Sequence, residues 1–170
     1  ASSQYFTRTP PGSGNRRQWT FSTWVKRGAL GTNQCLLSAH SANTDAGNFL
    51  LFFNSADKID ATTWSLQGYL TTSVYRDPAS LYNVVFAVDT DNATANNRWR
   101  LYVNGVEVTA LSVRNNPALN LDMVINSASV HEIARYNNLA SYYFDGNLGE
   151  TVIIDGQQLD PTSFGEFDDN

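Results

Sequence analysis

Cysteine is almost absent from this sequence: Cys35 stands alone, so no disulfide can form within the chain, and the composition suits folding in a reducing compartment. Lysine is nearly as scarce, limited to Lys26 and Lys58. Charged residues make up 16% of the chain, below the usual ~25% of globular proteins, which leaves the surface to Asn, Ser and Thr. The formal net charge of −5 argues against a nucleic-acid partner, because such affinity comes largely from Lys and Arg neutralising phosphates. The Arg16-Arg17 pair is too small a basic cluster to supply it, or to hold an anionic membrane. Long apolar runs are missing too. Stretches such as Val-Val-Phe-Ala-Val at 84–88 fall far short of the ~20 residues a membrane helix needs, so no membrane insertion is predicted. No window sustains apolar residues at i, i+3, i+4, i+7, and no Gly-x-Ser-x-Gly elbow, phosphate-binding P-loop or Gly-x-Gly-x-x-Gly turn occurs.

What is present is strand periodicity. Residues 101–108, Leu-Tyr-Val-Asn-Gly-Val-Glu-Val, read as two strands joined by Asn104-Gly105, a pair suited to a type I′ turn because both central positions need positive φ. A two-residue loop sets Val103 opposite Val106 and Leu101 opposite Val108 on one face, with Tyr102 opposite Glu107 and Arg100 opposite Thr109 on the other. One apolar and one wet face predict an antiparallel sheet covering a core on one side. Residues 18–27 alternate in the same way, with Trp19, Phe21, Thr23 and Val25 on one face and Trp24 on the more polar one. Further strands are predicted at 2–8, 34–39, 48–54, 58–64, 68–75, 81–89, 98–104, 106–111, 130–136 and 141–154. The nearly unbroken apolar run at 82–89 places that strand centrally, whereas 58–64 and 68–75 suit wetter strands on an outer sheet. Asp160 as N-cap and Pro161 at the first helical position give the one helical turn. The predicted fold is all-β, a two-sheet antiparallel sandwich of one domain over 1–170. Starting at Ala1 with no signal-peptide pattern, it is expected to be a domain cut from a longer polypeptide.

Three segments in order carry a resemblance: Phe-Ser-Thr-Trp-Val-Lys-Arg at 21–27, the stretch 81–109 containing Arg-Leu-Tyr-Val-Asn-Gly, and the ending 133–167 containing Tyr-Phe-Asp-Gly-Asn-Leu-Gly-Glu and Ile-Asp-Gly-Gln-Gln-Leu-Asp-Pro. Together they resemble the concanavalin A-like lectin/glucanase superfamily, in its laminin-G-like jelly-roll branch, over roughly residues 18–167. The ending is similar to modules of phage tail-fibre and other virion proteins. The resemblance implies a jelly roll of two antiparallel sheets, one concave, with binding at rim loops or on the concave face. Leu81 and Gly149 depart from its pattern, where an aromatic and Ala are common.

Glucanases share this fold, and retaining ones place three carboxylates on one strand face through Glu-x-Asp-x-x-Glu. That motif is missing, and Glu107, Glu132, Glu150 and Glu166 stand apart, so no catalytic residues are predicted and the chain is expected not to be an enzyme. Asp89-x-Asp91 ends a strand and is expected to initiate a turn; because laminin-G-like relatives often bind calcium at a rim loop, these two are the first carboxylates to inspect, below the bar for a site. Strand parity puts Cys35 and His40 on opposite faces, with Cys35 a buried small hydrophobe. No metal site and no cofactor are predicted.

Aromatics beside short amides point to sugars, whose C–H faces stack on Trp and Tyr while Asn pairs with hydroxyls. The candidate ligand-binding residues are Trp64 and Tyr69, from Thr-Thr-Trp-Ser-Leu-Gln-Gly-Tyr, and Tyr136, Asn137, Asn138 and Tyr142, from Ala-Arg-Tyr-Asn-Asn-Leu-Ala-Ser-Tyr-Tyr. For each the competing role is an aromatic or amide capping the core. The expected function is a non-catalytic glycan- or host-surface-binding module of a virion appendage. It would fold in a bacterial cytoplasm, partner other virion proteins, and act within a homo-oligomer, a trimer. The alternatives are a glycan-degrading enzyme module, a decoration domain without ligand, and a secreted or cell-surface location.

Overall fold

The computed structural model describes residues 4–166. Its strands are β1 (Phe6–Arg8), β2 (Gln18–Arg27), β3 (Gln34–His40), β4 (Asn48–Phe53), β5 (Ile59–Thr62), β6 (Gln67–Thr71), β7 (Tyr82–Asp89), β8 (Trp99–Val103), β9 (Val106–Glu107), β10 (Leu111–Arg114), β11 (Val130–Ile133) and β12 (Gly146–Asp155). They form two antiparallel sheets, a seven-stranded one in the order β1-β11-β3-β4-β5-β6-β10 and a five-stranded one in the order β12-β2-β7-β8-β9. The all-β sandwich expected from the sequence is the observed fold.

Alternation in β2 produces the inner face: Trp19, Phe21 and Val25 are fully buried against Phe49, Leu51 and Phe53 of β4 across the sandwich. Five rings form the centre, Trp19, Phe49, Tyr69, Phe86 and Trp99, with Phe49 and Phe86 meeting Trp99 edge-on at 5.9 and 5.4 Å between centroids. Such edge-to-face pairs add to simple area burial because ring edges and faces carry opposite partial charge. Gly68 makes room for this cluster, since a Cβ there would collide with the Trp99 ring.

The central place expected for 82–89 is observed, and the reason for its unbroken apolar run is visible. Val84, Phe86 and Val88 enter the core, while Val85 and Ala87 on the opposite face lie with Tyr102 beneath Phe164. The outer face of the five-stranded sheet is therefore partly covered by the C-terminal segment, which Gln158 ties down through the Asn97 carbonyl at 2.7 Å. This corrects the expectation of a wet face around Tyr102. The Asn104-Gly105 turn has φ of 50° and 76°, type I′ as expected, with Val103 opposite Val106 and Tyr102 opposite Glu107. Asp160 caps a short 3-10 turn, Pro161–Ser163, by accepting from the Thr162 N–H.

Other expectations need correction. The segment 106–111 is not one strand: β9 ends at Glu107, and the chain crosses to the other sheet, where β10 pairs with β6. Strands β5 and β6 are not wet, because Ile59, Ala61 and Tyr69 point into the core. The segment 130–136 ends as a strand at Ile133, and 141–145 is loop before β12. Of the strand expected at 2–8, residues 2 and 3 lie outside the described residues. Finally, Cys35 and His40 share a face despite their parity. The register shifts between Cys35 and Leu37, so Leu36 and Leu37 both enter the core and the strand resumes with its alternation inverted.

Candidate functional site

The face of the seven-stranded sheet turned away from the core carries Cys35, Leu50 and Phe52, an apolar strip that water would otherwise reach. Residues 134–145 fold back over it. The Cys35 N–H donates to the Tyr142 carbonyl at 2.8 Å, the Ser38 hydroxyl to the Arg135 carbonyl at 2.7 Å, and the Asn137 N–H to the Ser38 hydroxyl oxygen at 3.2 Å. Tyr136 and Ser141 close a small bridge within the segment. Ala134, Ala140 and Tyr142 all adopt left-handed φ, 69°, 47° and 54°. Three such non-glycine residues in nine cost energy that the anchoring must offset, and strain of this kind concentrates where a loop has to present particular side chains. Burial pushes the Cys35 thiol far above its ordinary value, so beneath this loop it is an inert apolar group, as expected.

From that loop a chain of contacts runs to the rim. Tyr142 lies between Phe52 and Tyr136, stacked with each at 5.7 Å between centroids. The Asn138 amide donates to the Tyr136 hydroxyl at 3.3 Å, and that hydroxyl donates to Asn48 Oδ1 at 3.0 Å. The same Oδ1 lies 3.2 Å from His40 Nδ1. Because an amide oxygen only accepts, His40 Nδ1 is the donor of this pair. The His40 ring in turn lies 6.5 Å from that of Trp64, which is 47% exposed.

Trp64 is held from both sides. Asp45 Oδ1 accepts from the Thr63 hydroxyl at 2.6 Å and the Ser65 N–H at 2.7 Å, and Oδ2 accepts from the Ser65 hydroxyl at 2.7 Å. Burial alone would raise the Asp45 carboxyl, but the hydrogen bonds from Thr63 and Ser65 outweigh it and hold the group below its ordinary value.

The six residues singled out in the sequence thus divide. Trp64 is exposed, Asn138 and Tyr142 are half-buried, and the three belong to one connected rim. Tyr136, 7% exposed, keeps its ring beneath the others and contributes its hydroxyl. Asn137 is used in anchoring, donating through Nδ2 to the Val130 carbonyl at 3.1 Å. Tyr69 is a core residue, 1% exposed and hydrogen-bonded to the Trp99 carbonyl and Asn116, so it presents no face to a ligand. His40, Asn48 and Asp45 were missed. They look like ordinary strand-end and turn residues, and only the β3–β4 register, which sets His40 opposite Asn48, brings them to Tyr136 and Trp64.

Several of the carboxylates considered for chemistry are engaged elsewhere. Asp89 makes the turn expected of it, accepting from the Asp91 N–H at 3.0 Å. Arg17 lies 3.3 Å from Asp91 and 2.6 Å from Asp122, so a guanidinium holds the place where a rim cation would neutralise these groups. Glu107 pairs with Arg100 and Glu132 with Arg135. Among the described residues no three His, Cys, Asp or Glu side chains converge as metal ligands.

A sandwich of this topology has recognisable counterparts. Residues 1–161 match the concanavalin A-like lectin/glucanases superfamily. The chain belongs to this superfamily. Among solved structures, a heptameric SAP-like pentraxin from Limulus polyphemus superposes with a TM-score of 0.60 at 12% identity, over 88% of this chain and 68% of that one. The CBM40 of a Ruminococcus gnavus IT-sialidase, bound to α2,3-sialyllactose, gives 0.56 at 14% identity, over 96% of each chain. Trypanosoma rangeli sialidase gives 0.56 at 13% identity, and there this chain spans 22% of the other's length. At such identities the likeness is one of fold. No curated protein matches the chain in sequence.

Proposed function

We propose that the chain is a non-catalytic carbohydrate-binding module whose site is the rim formed by Trp64, His40, Asn138 and Tyr142, with Asn48 buried beneath it as the hydrogen-bond link. The observation that carries this is the exposed Trp64 ring fixed beside a one-way hydrogen-bond chain, Asn138 to Tyr136 to Asn48, which His40 joins from the other side. A pyranose stacks its C–H face on such a ring while its hydroxyls exchange hydrogen bonds with the His40 imidazole and the Asn138 amide. The sialyllactose complex of the structurally similar CBM40 lends support to a sugar ligand. A shallow rim of this kind buries little ligand surface, so one site reaches about millimolar to high-micromolar affinity.

Weak sites work through repetition, which raises avidity by ~10²–10⁴ without new contacts. We propose that the module serves adhesion in a virion appendage such as a phage tail fibre, within a homo-oligomer, a trimer, assembled with other virion proteins. What supports this is the similarity of the ending at residues 154–168 to virion modules and the weakness of a single rim site. Trp64→Ala should abolish binding to a glycan array while leaving the melting temperature unchanged, since an exposed ring adds little to the core. Binding that survives the substitution would remove this rim as the site.

A further inference from the structure

We infer, resting on the rim reading above, that this site selects uncharged sugars and rejects sialylated, sulfated or uronic-acid-bearing ones. The first ground is the nature of its one fixed charge. Asp45 hydrogen-bonds to the residues immediately before and after Trp64, through three bonds of 2.6 to 2.7 Å. A carboxylate is therefore built into the support of the stacking ring. It stays ionised well into mild acid, because its bonds hold the carboxyl below the ordinary value.

The second ground is that the cations nearby are already engaged. Arg135, the only basic residue of the covering loop, makes a two-pronged pair with Glu132 and lies over the Tyr5 ring at 3.6 Å. Arg16 reaches the 41–47 loop but donates to the carbonyls of Met123, Asp122 and Ala46. Arg17 is bound to Asp91 and Asp122. Lys58 begins the β4–β5 turn's return at the opposite end of those strands from Trp64. Recognition of a carboxylate or sulfate calls for a free, preferably forked, cationic donor, and the rim supplies no free arginine or lysine; its one titratable base, His40, offers a single nitrogen and no fork. An acidic sugar would lose water from its charge, gain no counter-charge, and meet Asp45.

The remaining donors and acceptors suit hydroxyls. The His40 imidazole can pair with a hydroxyl through Nε2, and the Asn138 side chain offers both an amide donor and an amide acceptor. The fold-sharing CBM40 has an acidic glycan as its bound ligand, so the rim chemistry assigns this chain the opposite preference within a common scaffold.

The test uses the whole chain on an array of neutral oligosaccharides printed beside their sialylated, sulfated and uronic-acid-bearing counterparts. Matched pairs are then titrated by saturation-transfer NMR at low and high salt, with wild type, Trp64→Ala and Asp45→Asn. The Asp45→Asn variant keeps the clamp, because the new amide oxygen accepts as Oδ1 does and the new amide nitrogen donates to the Ser65 hydroxyl. The expected result is binding of neutral glycans with the acidic partner about three- to tenfold weaker at low salt, from two like charges ~7 Å apart near a wet surface. The gap should shrink with added salt and in Asp45→Asn, with neutral affinity retained. Equal or tighter binding of acidic glycans that Trp64→Ala abolishes would overturn the selectivity and leave the rim site standing. Failure of every glycan to bind would overturn the rim reading itself.

Discussion

Arg27 and Asp57 form a charge pair inside the protein: the guanidinium has no exposed surface, and its Nη2 lies 2.9 Å from Asp57 Oδ1. Nη1 donates to the Tyr75 carbonyl at 2.6 Å, Nε and Nη2 reach Gln34 Oε1 at 3.3 Å, and the group lies 4.4 Å from the centre of the Phe53 ring. One side chain thus joins the end of β2 to the loops at 54–58 and 72–75. Breaking a buried pair from one side leaves the other charge uncompensated and costs about 3–5 kcal/mol. Arg27→Leu should lose stability of that order in urea unfolding. Asp57 stands at φ 60°, which Asn tolerates, so Asp57→Asn isolates the charge; the double variant should be less damaged than the sum of the two single ones. Additive losses would show that the pair is not coupled.

Gly105, at φ 76°, sets the hairpin register. A β-branched residue is strained there, and Gly105→Val should lower stability by about 1–2 kcal/mol. An unchanged denaturation midpoint would contradict the turn geometry.

Gly68 lies against Trp99. A methyl added there would meet that ring well inside contact distance and force the aromatic cluster to shift, so Gly68→Ala should cost about 1–3 kcal/mol. A changed near-ultraviolet circular dichroism signal should accompany it, because Trp99 packs on Phe49, Tyr69 and Phe86. Wild-type stability and spectrum would refute the close approach.

Asp60 is 4% exposed, and its Oδ1 has no hydrogen-bond partner. Burial raises its carboxyl above the ordinary 3.8, against the pull of hydrogen bonds from Gln67 and Asn54. The folded state therefore holds this proton more tightly than the unfolded chain. The resulting stability is full below the ordinary value and is lost as pH rises through the raised one. Asp60→Asn should flatten the stability profile above about pH 4 and leave the protein more stable than wild type at pH 7. A parallel profile for the two proteins would show that Asp60 does not titrate abnormally.

Glycan binding should also be independent of added calcium. Arg17 is already seated between Asp91 and Asp122, so titration with calcium or with a chelator should leave array binding and melting temperature unchanged. A chelator-sensitive melt would overturn this.

Local rules made much of the fold legible. Alternation in β2, the Asn104-Gly105 pair and the Asp160-Pro161 cap each act over a few residues, and each is found where the sequence puts it. The apolar run at 82–89 likewise marked the middle strand of the five-stranded sheet. What depended on distant chain was not legible. Tyr69 looked like a surface aromatic until β6 turned it onto Trp99, and one register shift in β3 reversed the parity that separated Cys35 from His40. The candidate site follows the same division. Composition could mark Trp64, Asn138 and Tyr142 as able to hold a sugar, because stacking faces and amides are properties of single residues. Their assembly with His40, Asn48 and Asp45 was decided by tertiary structure, since hydrogen-bond geometry and burial are set by which strands and loops meet, and no spacing along the chain encodes that.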